Sequence, residues 1–103
     1  MIPMLDKDQA RRVSSLVKNY MGTHQLSSRE MQRLSGVDAM LIGAYTHGGV
    51  MPTLEDAVAL LHGIGMTPSE IDKRLDLDKG TAHDTMVDRW YEGNSKVRRE
   101  RTF

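Results

Sequence analysis

The sequence predicts an all-α protein, a single domain of five to six short helices. Three observations predict it. Apolar residues recur at three- and four-residue intervals. Capping signatures of the form Ser/Thr-x-x-Glu precede the apolar runs. No segment shows the two-residue alternation, rich in Val, Ile or Thr, that marks a strand.

The first helix is expected over residues 8–21, where Ala10, Val13, Val17, Tyr20 and Met21 form one apolar stripe. Gly22 interrupts it. Ser27-Ser28-Arg29-Glu30 opens the second helix, because Ser27 and Glu30 can each accept the other's free backbone N–H. That helix ends near Ser35, before Gly36. The third covers residues 38–46 and stops at Gly48-Gly49. The fourth follows Pro52 with Thr53 as its cap, buries Leu54, Ala57, Leu60, Leu61 and Ile64, and closes at Gly65. Thr67-Pro68-Ser69-Glu70 starts the fifth, a capping box with proline in the first helical position. The sixth is expected over residues 79–91, ended by Gly93. Residues 1–92 then make one domain, and residues 93–103 a polar, basic, flexible tail. Repeats are not visible in the sequence.

The 103 residues suffice for one modest core, and so small a domain gains from pairing as a homodimer. With no cysteine, disulfides and thiolate metal sites are excluded. No signal-like leader and no run of about 18 apolar residues is present, so a cytoplasmic protein without membrane contact is expected. The net charge is zero, unlike that of a strong nonspecific nucleic-acid binder. Its distribution is uneven. Residues 1–24 carry a net +2, residues 67–92 a net −3, and the tail, through Lys96, Arg98, Arg99 and Arg101 against Glu100, a net +3.

Two short helices around Gly36 suggest a helix-turn-helix, since that turn needs one residue in the left-handed region. Val37, Ile42 and Met31 are spaced to plug the gap between the helices. With Gly48 and Pro52 closing the third helix and opening the fourth, and with PTLEDAVALLHGIGM beyond, residues 8–66 resemble the lambda-repressor/Cro-like (XRE) helix-turn-helix family. The resemblance implies a lambda-repressor-like core and a small sequence-specific DNA-binding regulator of repressor type. Such proteins are typical of phages, plasmids and other mobile elements, and bind palindromic operators as homodimers. Two departures stand out. Gln32 occupies a position where the family has a small residue. The residues expected to read bases, Ala39, Met40, Gly43 and Ala44, carry no side-chain donor or acceptor. The third helix is apolar nearly all round, as in helices buried in a core or an interface. Met40, Leu41 and Tyr45 are therefore candidates for a partner or dimer interface.

Residues 69–90 resemble a second, weaker helix-turn-helix pattern of the kind found in sigma-factor-like and response-regulator DNA-binding domains. Ile71, Leu75, Leu77, Ala82, Met86 and Trp90 take its buried positions. Asp76 stands where glycine is usual in the turn, and Asp72 where a small residue is usual. Lys79, Thr81 and His83 on the sixth helix can donate to bases or phosphates, with Arg89 beyond them. Asp84 and Asp88 oppose that role; bracing of the core is the alternative for this pair of helices. Arg29 and Arg33 on the second helix and the tail cations Lys96, Arg98, Arg99 and Arg101 are candidates for phosphate contact. Trp90 either anchors the sixth helix or serves as an interface residue.

Enzymatic chemistry is not indicated. The four histidines match no zinc spacing, no nucleophile elbow surrounds a serine, and no phosphate-binding glycine loop is present. No cofactor is expected. Met40, Met51, Met66 and Met86 read as flexible core fillers. The leading expectation is a DNA-binding repressor with double-stranded operator DNA as its partner. The alternative is a module or inhibitor that keeps a helix-turn-helix scaffold and binds a host or phage protein.

Overall fold

The computed structural model describes residues 5–47 and 49–87. Helices α1 (Lys7–Thr23), α2 (Ser28–Ser35), α3 (Ala39–Thr46), α4 (Leu54–Gly63) and α5 (Pro68–Arg74) follow one another, and residues 81–87 form α6. Among the described residues there is no strand. The protein is all-α.

Each helix starts where a side chain can satisfy its free N–H groups. Ser27 with Glu30 and Thr67 with Glu70 form reciprocal capping boxes, and Thr53 caps α4. A third box, unread in the sequence, begins α1: Asp6 accepts from the Gln9 backbone at 2.8 Å while Gln9 accepts from the Asp6 backbone at 2.9 Å. This box starts α1 at Lys7, one residue earlier than the apolar stripe indicates.

Helix α4 is the centre of the molecule. It packs against α1, α2 and α5, and buries Leu54, Ala57, Val58, Ala59, Leu60 and Leu61. Each fully buried large apolar side chain is worth roughly 1.5–3 kcal/mol, so α4 contributes more burial than its short length suggests. Val13 and Val17 of α1, Met31 of α2, Ile42 of α3 and Ile71 of α5 close around it, together with Val37, Leu75 and Ala82. Ile64 is only partly buried at the edge.

The methionines divide differently from expectation. Met66 and Met86 do pack against the core, and Met31 is wholly buried. Met40 is 82% exposed and Met51 41% exposed, so neither fills it. Tyr45, expected in an interface, faces inward instead. Its ring is buried and its hydroxyl donates to Asp56 Oδ2 at 2.6 Å, which ties α3 to α4. With Ile42 buried beside it, Tyr45 is the inner face of α3, so Met40 on the opposite side is left to solvent.

The two halves of the chain also share a backbone pattern displaced by 40 positions, a recurrence that the sequence does not show. The N–H groups of His24, Gln25 and Leu26 donate to the carbonyls of Tyr20, Gly22 and Met21; those of Ile64, Gly65 and Met66 donate to Leu60, His62 and Leu61. Gln25 and Gly65 both have positive φ, as do Gly36 and Asp76 in the next turn. Between residues 15–47 and 55–87 only Glu30/Glu70 and Asp38/Asp78 are identical. The recurrence therefore lies in caps, turns and apolar positions, where many residue types meet the same physical need.

Candidate nucleic-acid interface

The α5–α6 pair is joined by a tight turn. Asp76 takes the left-handed conformation there (φ 54°), which aspartate adopts more readily than most residues. Arg12 of α1 holds this turn from outside, donating to Asp76 Oδ2 and to the Arg74 carbonyl, both at 3.0 Å. The Gln9 amide adds a bond to the Leu75 carbonyl at 2.6 Å. The first turns of α1 are thus clamped to the C-terminal end of α5.

The start of α6 is fixed by a residue of α5. Asp72 is buried, and its two oxygens accept from the backbone N–H groups of Gly80 at 2.9 Å and Ala82 at 2.8 Å. A carboxylate in this position supplies the acceptors that the first turn of a helix lacks. In the sequence, Asp72 reads as a departure from a small-residue position. In the structure it docks α6 on α5. Gln32 in the first half behaves similarly, its Oε1 accepting from the Ala39 N–H at 2.9 Å at the start of α3. Both large polar residues are accommodated because each meets free N–H groups of the following helix.

No family model, curated protein or solved structure matches the chain.

Lys79 and His83 are exposed and Thr81 is partly buried, all three at the beginning of α6 or just before it. The His83 Nδ1 lies 3.6 Å from Asp84 Oδ1, so the nearest acid on this helix has a partner beside it. Ala82 points into the core, and Met86 packs against it. Arg89 and Trp90 lie outside the described residues, as do Lys96, Arg98, Arg99 and Arg101. Arg29 and Arg33 are exposed on α2.

Helix α3 offers a different surface. Met40 is exposed, Leu41 is 39% exposed and Leu34 of the neighbouring α2 is 50% exposed. A side chain at Gly43 would meet nothing within 4 Å, so this part of α3 is open. The outward residues have no hydrogen-bonding side chain until His47, whose Nδ1 lies 2.7 Å from the Gly43 carbonyl. Among the described residues no three potential metal ligands come together, and no helix is long and apolar enough to cross a membrane.

Proposed function

We propose that this chain is a small DNA-binding regulator of the helix-turn-helix type, in which α6 contacts bases and the protein acts as a homodimer on a two-fold operator. The observation that carries the reading is the bidentate cap of Asp72 on α6. It fixes the first turn of α6 against α5 while Lys79 and His83 stay exposed. Base readout requires donors held in register; Thr81 and His83 stand on the first turn of α6, and Lys79 in the turn that leads into it. Helix α3 lacks such groups, so the reading assigns specificity to the second helix pair rather than to the first.

The test is fluorescence anisotropy with duplex DNA from upstream of the protein's own coding sequence, against a scrambled duplex, over a salt series. Selective binding that weakens as salt rises supports the reading. Lys79→Ala and His83→Ala are each expected to weaken selective binding about 5- to 150-fold, in line with ~1–3 kcal/mol per good base contact. Unchanged selective binding by both variants would place the reading surface elsewhere, and no selectivity at low salt would sink the DNA reading.

The exposed apolar residues of α3 favour a second reading, a scaffold that binds a protein partner. In that case Met40→Glu abolishes partner binding and leaves the thermal midpoint unchanged, because Met40 is already in water in the free protein.

A further inference from the structure

Between α1 and α5 runs an open groove of about 890 Å³, lined by Asp8, Arg11 and Arg12 from α1 and by Glu70, Lys73 and Arg74 from α5. Four of these side chains are cationic and two acidic, in a chain whose net charge is zero. The acids do not cancel the cations. Glu70 is committed to its capping box, accepting from the Thr67 N–H at 3.1 Å. Arg12 is held by Asp76 and the Arg74 carbonyl. Arg11, Lys73 and Arg74 are exposed, and among the described residues none of them is within ion-pair distance of a carboxylate. Arg11, Lys73 and Arg74 thus face one open trough without a close ion pair. Glu70 and Asp8 offset part of their charge, and with Arg12 the lining keeps a net positive charge that attracts an anion.

The trough adjoins the turn that leads into α6, because Arg12 and Gln9 fasten α1 to residues 74–76. From this geometry we infer that the α1–α5 groove is the seat of a DNA phosphate backbone, with Arg11, Lys73 and Arg74 each placed against successive phosphates beside the bases met by α6. The inference rests on the DNA-binding reading above and adds the surface that carries its electrostatic affinity. It adds residues that no sequence motif marks to the phosphate-contact candidates Arg29 and Arg33 of α2 and Lys96, Arg98, Arg99 and Arg101 of the tail. An open groove with all its charged rims in solvent suits a continuous polyanion better than an enclosed small ligand, which a pocket would bury.

The experiment measures binding of a mixed-sequence DNA duplex by the full chain between about 50 and 200 mM salt. Three proteins are compared: the wild type, the double variant Arg11→Gln/Lys73→Gln, and Lys18→Gln. Lys18 is exposed on α1 and does not line the groove, so it reports the effect of losing one positive charge outside it. Each phosphate contact contributes about 0.9 to the slope of log K against log salt, so the double variant should lose about 2 from that slope. Its affinity at the low-salt end should fall about tenfold or more, while Lys18→Gln keeps the wild-type slope. If the double variant retains the wild-type slope, the groove assignment is overturned and the DNA reading stands. If the wild type binds no duplex at low salt, both fall. Saturable binding of inorganic phosphate at Arg11 and Lys73 that duplex DNA does not displace, followed by amide and side-chain NMR shifts, would assign the groove to a small anion and also overturn the inference.

Discussion

The hydroxyl of Tyr45 donates a 2.6 Å hydrogen bond to the carboxylate of Asp56, and the tyrosine ring beneath it is buried. The contact joins α3 to α4 at the edge of the core, and removing the hydroxyl leaves the carboxylate short of a charge-assisted donor. Tyr45→Phe should therefore lower the unfolding free energy by about 1–2 kcal/mol, measured by urea titration. Burial, and after it the Asp56 bond and charge, push the Tyr45 hydroxyl well above its ordinary pKa of 10.0. A raised folded-state pKa stabilises fully below the unfolded value and is lost as pH climbs above it. The wild type should accordingly lose stability more steeply than Tyr45→Phe as pH rises past 10.0. Parallel alkaline limbs for the two proteins would contradict the coupling.

Asp72 predicts a larger effect. Its two oxygens serve two N–H groups, and that of Ala82 is buried. Asp72→Ala leaves both without an acceptor and should cost about 2–4 kcal/mol, since an unsatisfied buried group costs ~1–3 kcal/mol. Asp72→Asn retains one acceptor oxygen and should fall between the two proteins. Hydrogen exchange gives the site-specific check. In the asparagine variant the amide of Gly80 or Ala82 should exchange faster, with the amides of α4 unaffected. Uniform acceleration would mean that Asp72 acts through global stability and not through the start of α6.

These two residues show what the sequence makes legible and what it does not. The number and order of the helices, the caps at Ser27, Thr53 and Thr67, and the left-handed turns at Gly36 and Asp76 all rest on neighbours within a few positions, and the structure has them where the sequence implies. Asp72, Gln32 and Arg12 act across eight, seven and 64 positions, respectively. Their roles depend on how helices dock, so Asp72 and Gln32 read in the sequence only as polar residues out of place, and Arg12 only as one more charge near the N-terminus. Tyr45 fails for a related reason. On a helix that is apolar on every side, periodicity cannot tell the inner face from the outer one. The basic groove needs two helices far apart in sequence, so the charge count of either segment hides it.

The capping boxes of α2 and α5 carry an acid-limb prediction. Glu30 is held below its ordinary pKa of 4.5 first by the Ser27 backbone N–H and then by the Ser27 hydroxyl. Glu70 is lowered in the same way by Thr67, with Arg74 and Lys73 adding smaller electrostatic help. A lowered folded-state pKa stabilises above the unfolded value and is lost as pH falls through the folded one. Stability should thus decline below pH 4.5 in the wild type. Glutamine preserves the reciprocal bond in a capping box but does not titrate. The double variant Glu30→Gln/Glu70→Gln should therefore show a shallower fall in melting temperature with acid than the wild type, followed by circular dichroism. An equal fall would trace acid sensitivity to other carboxylates.

Two glycines in helices should respond to alanine with opposite signs. A side chain at Gly43 would meet nothing within 4 Å, so Gly43→Ala gains helix propensity without a clash and should stabilise by about 0.5–1 kcal/mol. At Gly63 the new carbon would sit 3.1 Å from the Leu34 carbonyl oxygen and 3.1 Å from both Cα and Cβ of Ser35. Ser35 cannot readily retreat. Its hydroxyl donates to the Met31 carbonyl at 2.8 Å and accepts from the Val37 N–H at 3.1 Å, which pins it to the end of α2 and the turn that follows. Overpacking against fixed backbone costs about 1–3 kcal/mol and outweighs a propensity gain of ~1 kcal/mol at most. Gly63→Ala should therefore lower the urea midpoint while Gly43→Ala raises it. If both raise it, the α2–α4 contact yields more easily than the bonds of Ser35 imply.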